Sequence, residues 1–244
     1  MLSSIYRRMT RRPLTRSMPP IVGSVRADSL TYLDEEALGD LFDAVRAIER
    51  QQSDGILIEA GCGLGGSAIV IAAAKSPARP FFVYDAFGMI PAPSDNDDAD
   101  VHERYRVIRT GQAAGIGGHK YYGYEEHLMD KVTDSFQRHG VPIADNNIHL
   151  VKGLFQDTLL VGTSVALAHV DGDWYESVMT SLTRIEPHLA PQGLLVIDDY
   201  YAWSGCRKAV DEYFRDKQNR YEFIRKARLH IVPRRRPVDR TVRS

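Results

Sequence analysis

The stretch ILIEAGCGLGGSAIVIAAAK (56–75) places an apolar run, a cluster of glycines and a second apolar run in immediate succession. A short apolar run closed by glycines reads as a buried strand, here 56–60, and the run behind it as the helix 66–75 that follows. The strand is apolar throughout instead of alternating, which implies a sheet covered on both faces. Runs of the same kind lie further along: FFVYD (81–85), IHLVKG (148–153), VALAHVD (165–171) and GLLVID (193–198). Helical spacing separates them. Leu38, Leu41, Phe42, Val45 and Ile48 follow the acidic cap Asp34 and predict a helix over 34–50. Tyr124, Leu128, Val132 and Phe136 mark another, and further helices are expected at 176–189 and 205–217. YEFIRK (221–226) and RLHIVP (228–233) follow each other so closely that they predict an antiparallel hairpin at one edge. The fold class is therefore α/β: seven mostly parallel strands, one antiparallel edge region and helices on both faces. Residues 86–121 read as a long irregular stretch. Ligands of such sheets bind beyond the carboxyl ends of the strands.

Composition sets the frame around this pattern. The 244 residues suit one domain, expected over 29–233, between a basic, loosely ordered segment at 1–28 and a basic tail at 234–244. The formal net charge of −1 hides a division. Residues 1–27 hold six arginines and no acid, and 225–244 hold eight Lys/Arg and one acid, Asp239. The body, 28–224, keeps 17 basic against 31 acidic residues, a net −14. There is no internal repeat. No apolar run reaches the ~18 residues of a transmembrane helix. The N-terminus lacks the apolar core of a secretory signal, and it reads as a basic tail more than as a transit peptide. Two cysteines, Cys62 and Cys206, are too few for a disulfide framework or a zinc site. A cytoplasmic enzyme is the expectation.

The first strand ends in Glu59-Ala60-Gly61-Cys62-Gly63-Leu64-Gly65-Gly66. Gly61, Gly63 and Gly66 satisfy G-x-G-x-x-G, which permits a tight turn and close approach of backbone to ligand. Asp85 ends the next strand, where an acid accepts hydrogen bonds from ribose hydroxyls. NAD and S-adenosylmethionine (SAM) both carry such a ribose, and a turn that merely packs helix on strand needs neither. Glu59 favours SAM: a carboxylate there repels a pyrophosphate and suits an ammonium and a sulfonium.

Two later strand ends are acidic: Asp171-Gly172-Asp173-Trp174-Tyr175-Glu176-Ser177 and Asp198-Asp199-Tyr200-Tyr201. If these strands are neighbours, four carboxylates converge, and a divalent cation relieves their repulsion. An all-oxygen set favours a hard ion, Mg²⁺ first, with Mn²⁺ or Ca²⁺ also possible. The competing expectation is that Asp173 or Ser177 caps the following helix.

HVDGDWYES (169–177), IDDYY (197–201) and CRKAVDEYF (206–214) together resemble the macrocin O-methyltransferase family. EAGCGLGGSA (59–68), YDAFGMIPAP (84–93) and GLFQDTL (153–159) extend the resemblance over about 30–215. It implies a class I methyltransferase (Rossmann-like) fold and SAM- and Mg²⁺-dependent O-methylation of a sugar or glycoside. It also implies Asp171, Asp198 and Asp199 as metal ligands, with Asp173 as general base, a role that Asp171 could share. Glu59, Gly61, Gly63 and Asp85 would line the SAM site, with Phe155 and Gln156 beside the adenine. The motif reads EAGCG where E-x-G-V-x-x-G-G is expected, and 94–121 is long, which leaves the acceptor the least transferable part. Catechols or other small phenols are an alternative acceptor, and an NAD-dependent oxidoreductase an alternative activity. A non-catalytic or iron-dependent relative is the third, although an iron site would want two histidines and neither Asp motif contains one.

Other residues are weighed on the same terms. His102 and His119 could be bases reaching over the acceptor, but loop histidines are mostly solvated. His169, inside a strand, reads as a satisfied core histidine. Cys62 reads as too enclosed to be a nucleophile. Tyr121, Tyr122 and Tyr124 could stack on a sugar or simply pack; Trp203 is placed at the acceptor pocket. DNDDAD (95–100) lacks the glycine and terminal glutamate of an EF-hand and reads as a solvated loop. Arg234-Arg235-Arg236 has no interleaved aromatics, so a nucleic-acid partner is not expected. A homo-oligomer is expected, with the 34–50 helix and the basic N-terminus as lid or contact.

Overall fold

The computed structural model describes residues 7–8 and 17–234. Seven strands form the body of one sheet: β1 (Ile56–Ala60), β2 (Phe81–Asp85), β3 (Ile148–Lys152), β4 (Val165–Val170), β5 (Leu189–Ile197), β6 (Tyr221–Arg225) and β7 (Leu229–Pro233). Their spatial order is β6-β7-β5-β4-β1-β2-β3, and β7 alone runs antiparallel to its neighbours. The expected hairpin is β6–β7, with β7 on its inner side. A two-residue strand, Arg7–Arg8, adds parallel to β6 as an eighth.

Seven helices of eight or more residues flank the sheet: α1 (Pro20–Ala27), α2 (Glu35–Arg50), α3 (Gly66–Ala74), α4 (Ala99–Arg109), α5 (Leu128–Arg138), α6 (Tyr175–Ile185) and α7 (Ser204–Tyr213). Two apolar layers hold them. Leu57 and Leu167 face Val22, Leu38, Leu41, Ile69 and Phe136 on one side. Ile58 and Ala168 face Val178, Leu182, Val210 and Phe214 on the other. Successive residues of one strand thus feed opposite layers, which is why β1 and β4 carry no alternation. Asp34 caps α2 as expected: the Ala37 amide donates to its Oδ1 at 2.8 Å.

Two expectations are corrected. Residues 1–28 were expected to be loosely ordered throughout, yet Pro20–Ala27 is helical, with Val22 and Val25 fully buried. The surrounding arginines mask two inward valines three residues apart. Residues 86–121 were read as irregular, yet they contain α4, whose Val101, Tyr105 and Ile108 have helical spacing that the charged residues between them obscure. Residues 1–6 and 9–16 and the tail beyond Arg234, including Arg235 and Arg236, lie outside the described residues. Among the described residues, no helix is long and apolar enough to cross a membrane.

The strand ends matter most. Backbone pairing continues one step beyond the ladder: Gly61 N–H donates to Tyr84 at 2.8 Å, Asp171 N–H to Ala60 at 2.9 Å, and Asp198 N–H to Val170 at 3.0 Å. The loops after β1, β4 and β5 are therefore drawn together at one edge of the sheet. The layer beneath them is expected to set global stability. Leu41→Ala should cost about 2–5 kcal/mol in chemical denaturation, while Leu160→Ala, at a position 71% exposed, should change it by less than about 0.5 kcal/mol. Similar losses for the two would contradict this layering.

Candidate active site

A cavity of about 310 Å³ opens at this edge. Its floor on one side is the glycine turn. Gly61 has a φ of 96°, and a Cβ there would stand 1.8 Å from the carbonyl oxygen of Asp171. No L side chain fits at Gly61, and the turn is pressed directly against the first acidic loop. Asp85 organises the turn from the next strand. Its Oδ2 accepts from the Cys62 and Gly63 amides at 2.8 and 3.0 Å, and its Oδ1 from the Phe87 amide at 2.6 Å. Burial nevertheless pushes the Asp85 carboxyl above the usual range, against these backbone donors. Gly61, Gly63, Asp85, Phe155 and Gln156 all line the cavity. Cys62 is buried, and burial pushes its thiol well up, so it is no nucleophile at neutral pH.

Glu59 is placed elsewhere. It does not line the cavity and is completely buried. Register pairs it with His169, whose Nδ1 lies 2.9 Å from Glu59 Oε1, while Oε2 has no hydrogen-bond partner. The physical reason is the strand period: Glu59 shares a face with Leu57, two residues before the turn begins, and so points into a packed layer. His169 is a core residue as expected, but it is also the centre of a charged chain. Its Nε2 stands 3.5 Å from Asp198 Oδ1, which accepts from Arg228 Nε at 2.7 Å. Burial works against the imidazolium, yet Asp198 and Glu59 on either side hold it up at about 9.

The second side of the cavity is acidic. Carboxyl oxygens of Asp171, Asp173 and Asp199 lie within 4.8 Å of one another. The Asp173 amide also donates to Asp199 Oδ2 at 3.1 Å, with Asp173 in the left-handed region at φ 54°. Burial, and then the neighbouring carboxylates, push Asp171 and Asp199 well above the ordinary value and Asp173 up to about 7. Asp198 is the exception. Burial would raise it, but His169 and Arg228 outweigh burial and hold it below the usual range. It stands beside the converging three and is not one of them. Neither Asp173 nor Ser177 caps α6; that bond comes from Asp97, whose Oδ1 accepts from the Tyr175 amide at 2.8 Å. An all-oxygen set, Asp199 buried and Asp171 and Asp173 partly buried, under mutual repulsion fits a hard divalent ion.

The third wall comes from residues 86–124. Trp174 Nε1 donates to the Pro91 carbonyl at 3.0 Å, and its ring meets Trp203 edge-on at 5.7 Å between centroids. Val101, Ile108, Tyr121 and Trp174 form a small separate core. Tyr121, Tyr122, Trp203 and Arg104 face the cavity. Arg104 was not singled out in the sequence; the spacing that marks α4 is what would have found it. His102 and His119 are exposed and do not line the cavity, so neither is placed to act as a base there.

Comparison with known proteins agrees with this geometry. The family model described as Macrocin-O-methyltransferase (TylF) matches residues 25–228. The 8-demethyl-8-(2,3-dimethoxy-alpha-L-rhamnosyl)-tetracenomycin-C 4'-O-methyltransferase of Streptomyces olivaceus is 32% identical over 83% of this chain and 71% of its own. The demethyldecarbamoylnovobiocin O-methyltransferase of Streptomyces niveus is 25% identical over 77% and 68%. Among solved structures, the O-methyltransferase NovP superposes with a TM-score of 0.70 at 24% identity, covering 85% of this chain and 83% of that one.

The buried pair beneath the site has a measurable consequence. His169→Ala leaves the Glu59 carboxylate uncompensated in the core and should cost about 3–5 kcal/mol in urea unfolding. A loss below about 1 kcal/mol would show that Glu59 and His169 do not form an ion pair.

Proposed function

The chain belongs to the macrocin O-methyltransferase family, and from that membership we propose that it methylates a hydroxyl of a sugar or glycoside, taking the methyl group from SAM with the help of Mg²⁺. The observation that carries the reading is the single cavity in which the glycine turn and Asp85 face three converging carboxylates. The named activities of the Streptomyces relatives, a rhamnosyl 4'-O-methyltransferase and a novobiocin-precursor O-methyltransferase, support the acceptor class.

The cofactor would lie over the turn. Gly61 and Gly63 leave room for its backbone-side approach, and Asp85, with three of about four lone-pair positions engaged, has one left for a ribose hydroxyl. Phe155 and Gln156, in the helical turn after β3, would border the adenine. Asp171 and Asp199 would hold the cation, with Asp198 completing the set through the oxygen that Arg228 does not engage. SAM supplies an electrophilic methyl group, and a divalent cation lowers the pKa of an acceptor hydroxyl.

The residues of the chain do the rest. Tyr121, Tyr122 and Trp203 offer flat apolar surface to one face of a pyranose. Arg104, on α4, makes no hydrogen bond or ion pair among the described residues and presents its N–H groups to acceptor oxygens. Asp173, the third member of the converging group, takes the proton of the attacking hydroxyl. The hydroxyl is thereby held in one orientation towards the cofactor side, and its approach costs less entropy than an encounter in solution.

The direct test is S-adenosylhomocysteine release from SAM and Mg²⁺ with a panel of deoxysugar glycosides against a panel of catechols. Turnover confined to catechols would overturn the acceptor class, and tight NAD binding without SAM binding would overturn the cofactor. Asp199→Asn should abolish Mn²⁺ binding by calorimetry and leave S-adenosylhomocysteine affinity unchanged. Asp85→Ala should weaken that affinity about 10–100-fold; an unaltered value would place the cofactor elsewhere.

A further inference from the structure

The acidic run DNDDAD (95–100) is not absorbed by methyl transfer, and although all of it but Asp97 is exposed, in the structure it does more than meet solvent. Asp97 is 6% exposed. Its Oδ1 accepts from the Tyr175 amide at 2.8 Å, and its Oδ2 from the Ser94 amide at 2.9 Å and the Ser94 hydroxyl at 3.2 Å. Asp100 Oδ2 accepts from the Ser204 amide at 3.0 Å, and its Oδ1 from the Ser204 hydroxyl. Just before Asp97, Asn96 Nδ2 donates to Glu176 Oε1 at 3.1 Å, and the Asn96 carbonyl accepts from Lys208 Nζ at 2.9 Å. One short segment therefore grips the first turns of both α6 and α7.

Those helices begin where the two carboxylate loops end. Asp171 and Asp173 precede Tyr175, and Asp198 and Asp199 precede Ser204. The residues at the helix starts, Trp174 and Trp203, give no side-chain cap of their own, so the orphan amides are satisfied from the wall formed by 86–124, the acceptor lid of this site. Gly205 supports this independently: a Cβ there would stand 1.9 Å from Asp97 Oδ1, so α7 has no side chain where Asp97 passes. Both carboxylate oxygens of Asp97 are taken by protein donors, which argues against a second cation site in this run.

We propose that Asp97 and Asp100 are positioning residues: they fix the separation of the two carboxylate loops and tie the acceptor lid to it. The proposal rests on the cation-assisted reading of the site. The clamp touches α6 and α7 and leaves the glycine turn alone, so it should act on cation and acceptor but not on cofactor.

The test uses the full chain with Mn²⁺ as probe. Asp97→Ala and Asp100→Ala should each weaken Mn²⁺ binding about tenfold, the scale seen when groups behind metal ligands are removed. Both should raise the acceptor KM more than they lower kcat, with S-adenosylhomocysteine affinity as in wild type. Asp97→Asn, whose amide oxygen can still accept from Tyr175, should recover part of the loss. Leu41→Ala, destabilised but remote from the clamp, should bind Mn²⁺ normally. If Asp97→Ala does not fold, Asp100→Ala and Asp97→Asn carry the measurement. Wild-type Mn²⁺ affinity and acceptor KM in these variants would overturn the clamp, as would an equal fall in cofactor affinity. A wild-type protein that binds no Mn²⁺ would instead overturn the cation reading; the acceptor KM of Asp100→Ala then decides the clamp, which an unchanged value overturns.

Discussion

Three carboxylates with oxygens within 4.8 Å of one another, partly withdrawn from water, repel each other. Much of the surrounding structure is what keeps them there. Asp171 is fixed by the hydrogen bond its backbone N–H donates to the Ala60 carbonyl and by the close contact of its own carbonyl with Gly61. Asp199 and Asp173 are joined through the Asp173 amide, at the expense of a left-handed backbone at Asp173. The fourth acid, Asp198, is separated from the problem by its own counter-charges, His169 and Arg228. The result is a compact set of oxygens whose repulsion a cation would relieve, beside a turn whose glycines leave room for a cofactor.

The halves of the site have different origins. The side proposed for the cofactor is built from the ends of β1, β2 and β3, parts of the sheet itself, and the opposite side is the one proposed for the acceptor. The acceptor side is built mainly from the connection between β2 and β3, with its own small core around Val101, Tyr121 and Trp174. Both face one cavity, and Trp174 and Trp203 join them because each follows an acidic loop directly. A rigid floor with a separately folded wall is what transfer between a common donor and a particular acceptor requires.

Most of the sheet was legible because its strands are buried on both faces, and that leaves a continuous apolar signature in 56–60, 81–85 and 165–170. The acids at strand ends were legible because the carboxyl edge is where ligands meet such sheets. Glu59 was misplaced for a specific reason. Its position before the turn says nothing about which face it takes, and its partner His169 lies 110 residues away in sequence. The capping role of Asp97 and Asp100 was hidden because their partners, Tyr175 and Ser204, lie 78 and 104 residues away. α4 was hidden by its charge, and α1 by the arginines around it. In each case the missing information was a long-range contact or the orientation of a side chain. The net charge of the body sorts accordingly: some acids serve the cavity, and two members of DNDDAD serve helix ends.

The clamp also bears on the order in which the molecule can assemble. Its bonds span 78 residues from Asp97 to Tyr175 and 104 from Asp100 to Ser204. A chain emerging from synthesis up to about residue 155 already contains the glycine turn, Asp85 and every residue of the lid. The helix starts to which the lid is tied do not yet exist. Long-range closures carry the larger entropic cost and come late. The wall therefore stays unanchored until the last third of the chain arrives, and so does the glycine turn, because its strand β1 pairs with β4 (Val165–Val170).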